Sequence, residues 1–342
     1  MIRVGIAGVG FMGMIHYLAY QRVAGAKVVA LCEREHLKRL EGDWREIKGN
    51  FGPQGTMMDL SGIAKYRELD QLLADDNVDM VDLCLPPSWH ARAAIAALQA
   101  GKHVLCEKPI ALKVEDAIAM VDTAQRAGRM LMIAHVLPFF PAYRYVYERV
   151  VEGTFGRLLG GEFRRIVSDP LWLRDFYDPN GCGGPMVDLH IHDAHFIRLI
   201  TGRMPLAVHS IGRMRGEVAE FFNTQFLYDD PSLVIAATSG VIYQQGRPFT
   251  NGYEVHLERA TVVFDSGMNM PVTVFTADGG VTKPDFPPGD EVDAFAAELS
   301  EAVRAVESGV PSALLDGQLA RDALILGHRQ TQSIVRRETV KL

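Results

Sequence analysis

Apolar residues recur along this chain with two different periods. Ile2 to Gly8 alternates as a short strand and runs into Gly8-Val9-Gly10-Phe11-Met12-Gly13, after which Met14 to Gly25 carries the spacing of an amphipathic helix. Ala26 to Cys32 predicts a second strand, the charged stretch Glu35 to Lys48 a helix with a solvated face, and Val78 to Leu85 an apolar strand that stops at Pro86-Pro87. Ala91 to Ala100 and Val114 to Ala127 predict helices ended by Gly101 and Gly128, with strands at His103 to Cys106 and Met130 to His135. Strands alternating with helices imply a doubly wound parallel sheet. Beyond Pro141 strands follow one another: Leu158 to Val167, Ala207 to Arg215, Glu217 to Tyr228, Leu233 to Tyr243, Tyr253 to Glu258, Ala260 to Phe264 and Val272 to Thr276. They predict a large, open, mostly antiparallel sheet, followed by amphipathic helices at Glu291 to Glu307 and Asp316 to Arg336. The expected fold class is α/β, with an N-terminal nucleotide-binding domain over residues 1–127 and a C-terminal α+β domain over 128–342.

Composition narrows the function. A chain of 342 residues with 48% hydrophobic and 23% charged positions suits two packed domains and excludes disorder as the main state. A net charge of −7 offers no footprint for a nucleic-acid backbone or an anionic membrane. Cys32, Cys84, Cys106 and Cys182 form no C-x-x-C pair, which points to inert thiols in a reducing compartment. The most apolar stretch, Met130 to Ala142, is too short for a membrane span, and strand alternation from Ile2 leaves no room for a signal peptide. A cytoplasmic enzyme or binding protein is expected.

The Gly8-x-Gly10-x-x-Gly13 turn follows a strand, opens a helix, and has Glu33 placed 20 residues beyond Gly13 at the end of the second strand. That context is the one a dinucleotide requires. Gly8 makes the tight turn, Gly10 admits the pyrophosphate, Gly13 lets helix and strand pack closely, and the helix N-terminus stabilises the phosphate charge. Phe11 and Met12 complete the cradle. Glu33 would hold the ribose hydroxyls and repel a 2′-phosphate, favouring NAD, while the neighbouring Arg34 would serve that phosphate in the NADP alternative.

Two further constellations carry chemistry. Cys106-Glu107-Lys108-Pro109 puts a lysine at the carboxyl end of a parallel strand, where open α/β sheets bind ligands, with a proline suited to a cis peptide behind it. Gly183-Gly184-Pro185-Met186-Val187-Asp188-Leu189-His190-Ile191-His192-Asp193-Ala194-His195 packs five ionisable side chains into eight positions before an apolar helix. With Asp188 to Ile200 helical, Asp188 and His192 share one face with His195 beside them, while His190 and Asp193 point elsewhere. Asp188 would then tune His192 as a general base.

These segments, with Leu85-Pro86-Pro87-Ser88-Trp89-His90 and Ala97-Leu98-x-Ala100-Gly101-Lys102-His103, make the chain resemble the Gfo/Idh/MocA oxidoreductases over essentially its whole length. The resemblance implies a Rossmann domain binding NAD(P), an open-sheet domain used for homodimers or tetramers, no metal, and a catalytic set of Lys108, Asp188 and His192. His192 would take the hydroxyl proton of a secondary alcohol on a sugar or cyclitol while the carbon gives up its hydride. Lys108 would stabilise the charge on the reacting oxygen and Asp188 hold the relay in register. Leu85, Pro86, Trp89, His90 and Glu107 would line the nicotinamide end.

Three positions depart from the family's habit: Leu85 where many members carry Thr, His190 where Gly is common, and Pro138 where a polar residue is frequent. His190 and the Pro138-Phe139-Phe140 run are therefore expected to reshape the substrate pocket. Trp172, Arg174, Asp175 and Tyr177 are candidate substrate contacts, since aromatics and charged hydrogen-bonding groups suit a carbohydrate. Two other classes compete: a metal-dependent hydrolase using Asp188-x-His190-x-His192 on a strand, and a non-catalytic NAD-sensing regulator of the same fold.

Overall fold

The first sheet of the computed structural model, which describes residues 1–173 and 175–342, is built from strands too apolar to face water on either side. It contains β1 (Ile2–Ala7), β2 (Ala26–Cys32), β3 (Ala64–Tyr66), β4 (Met80–Leu83), β5 (His103–Glu107) and β6 (Leu131–Ala134). The order is β3-β2-β1-β4-β5-β6 and every pairing is parallel. All four residues of β4 and of β6 are buried, as doubly covered strands require. The helices are α1 (Phe11–Tyr20), α2 (Leu69–Leu73), α3 (Pro87–Gln99) and α4 (Val114–Ala127). The strand order reverses between β1 and β4, the switch point at which such sheets bind ligands.

After α5 (Pro141–Val151), β7 (Leu158–Ser168) and α6 (Ile191–Thr201), the chain forms β8 (Ala207–Arg215), β9 (Val218–Leu227), β10 (Val234–Ile242), β11 (Thr250–Leu257), β12 (Ala260–Asp265), β13 (Met270–Thr276) and β14 (Val281–Thr282). Helices α7 (Glu291–Ser308) and α8 (Gly317–Arg336) and the short β15 (Val340–Lys341) follow. The nine-stranded sheet runs β14-β13-β12-β11-β7-β10-β9-β8-β15 and is antiparallel except where β7 meets β10. Along β7, Phe163 and Arg165 are buried while Glu162 is exposed and Arg164 half-buried, so one face is covered and the other open. The open face carries a trough of about 630 Å³ lined by Glu162, Arg164, Asn223, Thr238, Glu254 and Met270 among others.

The chain divides into two compact units: Met1–Phe139 with Pro288–Ala320, and Phe140–Pro287 with Arg321–Leu342. A single break after residue 127 does not describe this. β6 completes the parallel sheet, and α7 returns to pack on α1 because its apolar stripe, including Val292, Phe295 and Leu299, needs cover.

The predicted helix over Glu35 to Lys48 is a second correction. Only Leu37–Glu41 forms a short 3₁₀ turn, ended by Gly42 at φ +92°. Leu37, Leu40, Trp44 and Ile47 carry helical spacing, but Trp44 is wholly buried with its Nε1 donating to the Arg39 carbonyl at 2.8 Å, and Asp43 bridges to Met57 instead. Sequence patterning also passed over α5, whose Tyr143 and Val146 pack inward.

Candidate active site

At Gly8 the chain leaves β1 with a φ of +94°, a left-handed conformation that favours glycine. A Cβ there would stand 2.4 Å from the Cys84 carbonyl oxygen, and a Cβ on Gly13 would stand 2.0 Å from the Gly8 carbonyl oxygen. The fold itself therefore demands these two glycines. Gly10 differs, because a Cβ on it would meet nothing within 4 Å. It is the N-cap of α1, supplies no side-chain acceptor, and is followed by a first turn without an acidic residue. Free helix N–H groups with an open approach make a site for a pyrophosphate. Phe11 contributes backbone here, since its ring packs edge-on to Phe51 at 4.8 Å, and Met12 is half-buried beside it.

Glu33 stands at the end of β2 with 8% of its surface exposed. Its Oε2 accepts the Val9 N–H at 2.9 Å, and its Oε1 accepts those of Glu35 and His36 at 3.0 and 3.1 Å. Burial pushes the carboxyl up, but the N–H groups of His36, Val9 and Glu35 outweigh it and hold the pKa below the ordinary value. Arg39 donates to the Val9 carbonyl at 2.9 Å and completes the link between this strand end and the glycine turn. Arg34 is exposed. An ionised carboxylate beside the turn fits the ribose of a dinucleotide.

The loop after β4 holds Leu85, half-buried, and Pro86, exposed. Trp89 is 42% exposed, with the Arg92 guanidinium 5.4 Å from its ring. His90 is a correction: it is wholly buried, its Nδ1 is 2.7 Å from the Pro109 carbonyl and its Nε2 2.8 Å from the Leu85 carbonyl. It shapes the loop from behind and does not line a cofactor surface. At the end of β5, Glu107 is buried and Lys108 half-buried, the Lys108-Pro109 peptide is cis, and Glu107 Oε2 accepts the Lys108 N–H at 3.0 Å.

In the second unit, Gly183 and Gly184 take φ of +80° and +72° and lead into a π-helical turn, Pro185–Leu189, that precedes α6. A Cβ on Gly184 would stand 2.7 Å from that of Val218, so the turn lies tight against β9. Asp188 in the turn and His192 in the first turn of α6 are half-buried, whereas His190, Asp193 and His195 are buried. Asp193 makes a bidentate pair with the buried Arg165 at 2.8 and 2.9 Å. His190 Nδ1 lies 2.8 Å from Ser239 Oγ, its ring is edge-on to Phe222 at 5.1 Å, and burial pulls its pKa down to about 4.

His190 is thus a neutral core residue, contrary to its expected part in reshaping the pocket. Pro138 and Phe139 are likewise buried, in a 3₁₀ turn. The alternation of Asp188, His190 and His192 on a strand, which the hydrolase reading needs, does not exist.

Of the expected substrate contacts, Trp172 is 65% exposed, Asp175 is exposed and Arg174 lies outside the described residues. Tyr177 donates its hydroxyl to Asp169 at 2.9 Å and lies 3.8 Å beneath the Arg215 guanidinium, which itself bonds Asp169 at 2.8 Å. That network occupies the phenol. Lys108 belongs to the first unit, Asp188 and His192 to the second.

Sequence reading missed the buried groups behind these loops, among them Asp82, His16 and the Arg165–Asp193 pair. A lone Asp82 inside an apolar strand was the available signal, because a buried charge requires a partner.

The model of an oxidoreductase family with an NAD-binding Rossmann fold matches residues 2–135, and that of the Gfo/Idh/MocA C-terminal domain matches 143–263. The chain is 32% identical to the 1,5-anhydro-D-fructose reductase of Ensifer adhaerens over 204 residues, 57% of this chain and 60% of that protein. It is 26% identical over 351 residues to the myo-inositol 2-dehydrogenase of Thermotoga maritima, covering 100% of this chain and 98% of that one. The fold matches a levoglucosan dehydrogenase solved with NADH and levoglucosan at a TM-score of 0.82, with 19% identity over 99% of both chains.

Proposed function

Since this chain belongs to the Gfo/Idh/MocA family of NAD-binding oxidoreductases, we propose that it transfers a hydride between nicotinamide and a secondary alcohol or ketone of a sugar, sugar derivative or cyclitol. One observation carries the reading. In the run from Asp188 to His195, burial seals His190, Asp193 and His195 and leaves Asp188 and His192 accessible, the two groups an acid–base step requires.

In the oxidising direction the neutral His192 imidazole takes the hydroxyl proton, and Asp188 orients the ring and stabilises the imidazolium that forms. Lys108 hydrogen-bonds the reacting oxygen and stabilises the negative charge that develops on it. NAD, when bound, supplies the hydride acceptor. The glycine turn takes its pyrophosphate and Glu33 the ribose hydroxyls, with Arg34 available to a 2′-phosphate should NADP be used. Leu85, Pro86, Trp89 and Glu107 lie along the same strand ends.

Trp172 is the aromatic left free to stack on a sugar ring. The open face of the nine-stranded sheet, where Val234, Phe275 and Met270 are exposed, supports a homodimer or homotetramer. Among the described residues no helix is long and apolar enough to cross a membrane, and the scattered free thiols suit the cytoplasm.

His192→Ala and Lys108→Ala test the roles together. Each should bind NAD as the parent does and lose turnover by roughly a hundredfold or more. Turnover within a fewfold of the parent in either variant removes that residue from the mechanism.

A further inference from the structure

Beneath the Glu107-Lys108-Pro109 turn lies a buried cluster that the proposed chemistry leaves unused. His16, on the inward face of α1, is wholly buried. Its Nδ1 lies 2.8 Å from Asp82 Oδ2 in the middle of β4, and its Nε2 lies 3.1 Å from Glu107 Oε1 at the end of β5. Cys84 Sγ is 3.5 Å from the same Nδ1 and 3.6 Å from Asp82 Oδ1. From α7 comes Glu298, wholly buried, with neither carboxyl oxygen hydrogen-bonded among the described residues, and Tyr20 adds a buried phenol on α1. His16, Asp82 and Cys84 are near enough to one another to suggest a metal. The 2.8 Å contact of imidazole to carboxylate is instead that of a direct ion pair.

Charge follows from this geometry. With Asp82 hydrogen-bonded at Nδ1 and the Glu107 carboxyl 3.1 Å from Nε2, two acidic groups face one imidazole and favour its charged form. Burial pulls the His16 pKa down, but Asp82 and Cys84 overcome it and the net shift is strongly upward. Burial pushes the Glu298 carboxyl strongly up, and it pushes the Cys84 thiol and the Tyr20 phenol up as well. Two carboxyl groups, Asp82 and Glu107, thus flank one imidazole, and Lys108 follows Glu107 along the chain.

The cluster sits at the β4 and β5 side of the switch point, while Glu33 marks the β2 side for the adenosine ribose. A dinucleotide lying across the switch point therefore brings its other end to the β4 and β5 side. Resting on the NAD reading above, we infer that the Asp82–His16–Glu107 cluster sets the electrostatic potential at the nicotinamide end of the site and so fixes the preference of the protein for oxidised over reduced cofactor. The oxidised ring carries a positive charge and the reduced ring does not. Removing a buried negative charge must weaken NAD⁺ relative to NADH, and removing the positive charge of His16 must do the reverse.

The test is the ratio of dissociation constants, Kd(NADH)/Kd(NAD⁺), measured at pH 7 on the full chain by titration calorimetry, without turnover. His16→Gln should raise the ratio and Asp82→Asn should lower it, each by roughly threefold or more, as expected of a unit charge in a partly screened site. Glu298→Gln, at a carboxyl that burial pushes toward its neutral form, should leave it unchanged. Loss of packing would weaken both cofactor forms alike and cannot move the ratio in opposite directions for two neighbours. Ratios that stay within twofold of the parent in His16→Gln and Asp82→Asn overturn the inference, as does a Glu298→Gln shift equal to that of Asp82→Asn. Should His16→Gln fail to fold, His16→Asn takes its place, because Asp82→Asn also removes the carboxylate that favours the His16 proton. A parent protein that binds neither cofactor form refutes the NAD reading itself, a result distinct from unmoved ratios.

Discussion

Gly10→Ala and Gly13→Ala separate what the fold needs from what the cofactor needs. At Gly13 the new Cβ would stand 2.0 Å from the Gly8 carbonyl oxygen, against an ordinary contact of at least 3.4 Å, and both atoms are tied to backbone. Overpacking that side chains relieve costs about 1–3 kcal/mol, so a clash between strand turn and helix should cost at least that much. At roughly 2–4 °C per kcal/mol for domains of this size, the unfolding midpoint should fall by several degrees. At Gly10 the φ of −86° suits any residue and a Cβ finds open space. Alanine restricts the unfolded chain but is a poorer N-cap, two effects of about 0.5–1 kcal/mol and opposite sign. Stability should therefore stay within about 1 kcal/mol of the parent.

NAD binding should nevertheless weaken by roughly tenfold or more in Gly10→Ala, because the methyl group takes the space a pyrophosphate would use. Thermal unfolding with and without NAD measures both quantities on one sample, since a bound ligand raises the midpoint in proportion to its affinity. Gly10→Ala should unfold at the parent temperature without NAD and lose most of the upshift with it. The reasoning fails if Gly10→Ala is as destabilised as Gly13→Ala, or if it keeps the full upshift.

Glu33→Gln should bring the NAD and NADP affinities closer together, as read by parallel titrations, and an unchanged ratio would show that Glu33 does not read the ribose. The same carboxylate, with its pKa held low by three N–H groups, stabilises the fold above the unfolded-state value of about 4.3 and loses that contribution as pH falls through the lower folded value. Glu33→Gln should accordingly flatten the acid limb of stability below about pH 4.3, and an unaltered limb contradicts it. His190, held neutral with its pKa near 4, takes up no proton in the folded state until well below its unfolded value of about 6.5. Stability should fall as pH drops from about 6.5 towards 4, and His190→Asn should reduce that slope, the remainder coming from His90 and His103, whose pKa values burial also pulls down. A slope identical to the parent's would mean that another group titrates there.

Much of the first unit was legible because its strands are short, mainly apolar runs and its turn glycines are punctuated at fixed distances. The same logic failed over Glu35 to Lys48, where helical spacing of Leu37, Leu40, Trp44 and Ile47 reflects burial of an irregular chain, with Gly42 at positive φ breaking any helix. The strand run of the second unit was readable from its alternation, yet the returning α7 was not assigned to the first unit. Nothing in a helix's own periodicity says which sheet covers its apolar stripe. Gly8, Gly10 and Gly13 form the turn that opens α1 and Glu33 follows β2, as the spacing predicts, whereas Asp188 falls in a π-helical turn ahead of α6 and not in one continuous helix with His192. His90, His190 and Tyr177 look the same in sequence but are absorbed by Leu85 and Pro109, by Ser239, and by Asp169. A polar side chain's partner lies far along the chain, so burial and pairing decide its role and neither is local.

The central claim is hydride transfer from a sugar-like alcohol to NAD, and the direct measurement is absorbance at the reduced-nicotinamide band. The protein is mixed with NAD or NADP and a panel of sugars, sugar acids, glycosides and inositols. The account predicts a rise with NAD and one group of polyols, faster than with NADP, and absent in His192→Ala. Firm NAD binding with no absorbance change across the whole panel would contradict it and shift weight to a protein that senses the cofactor without using it.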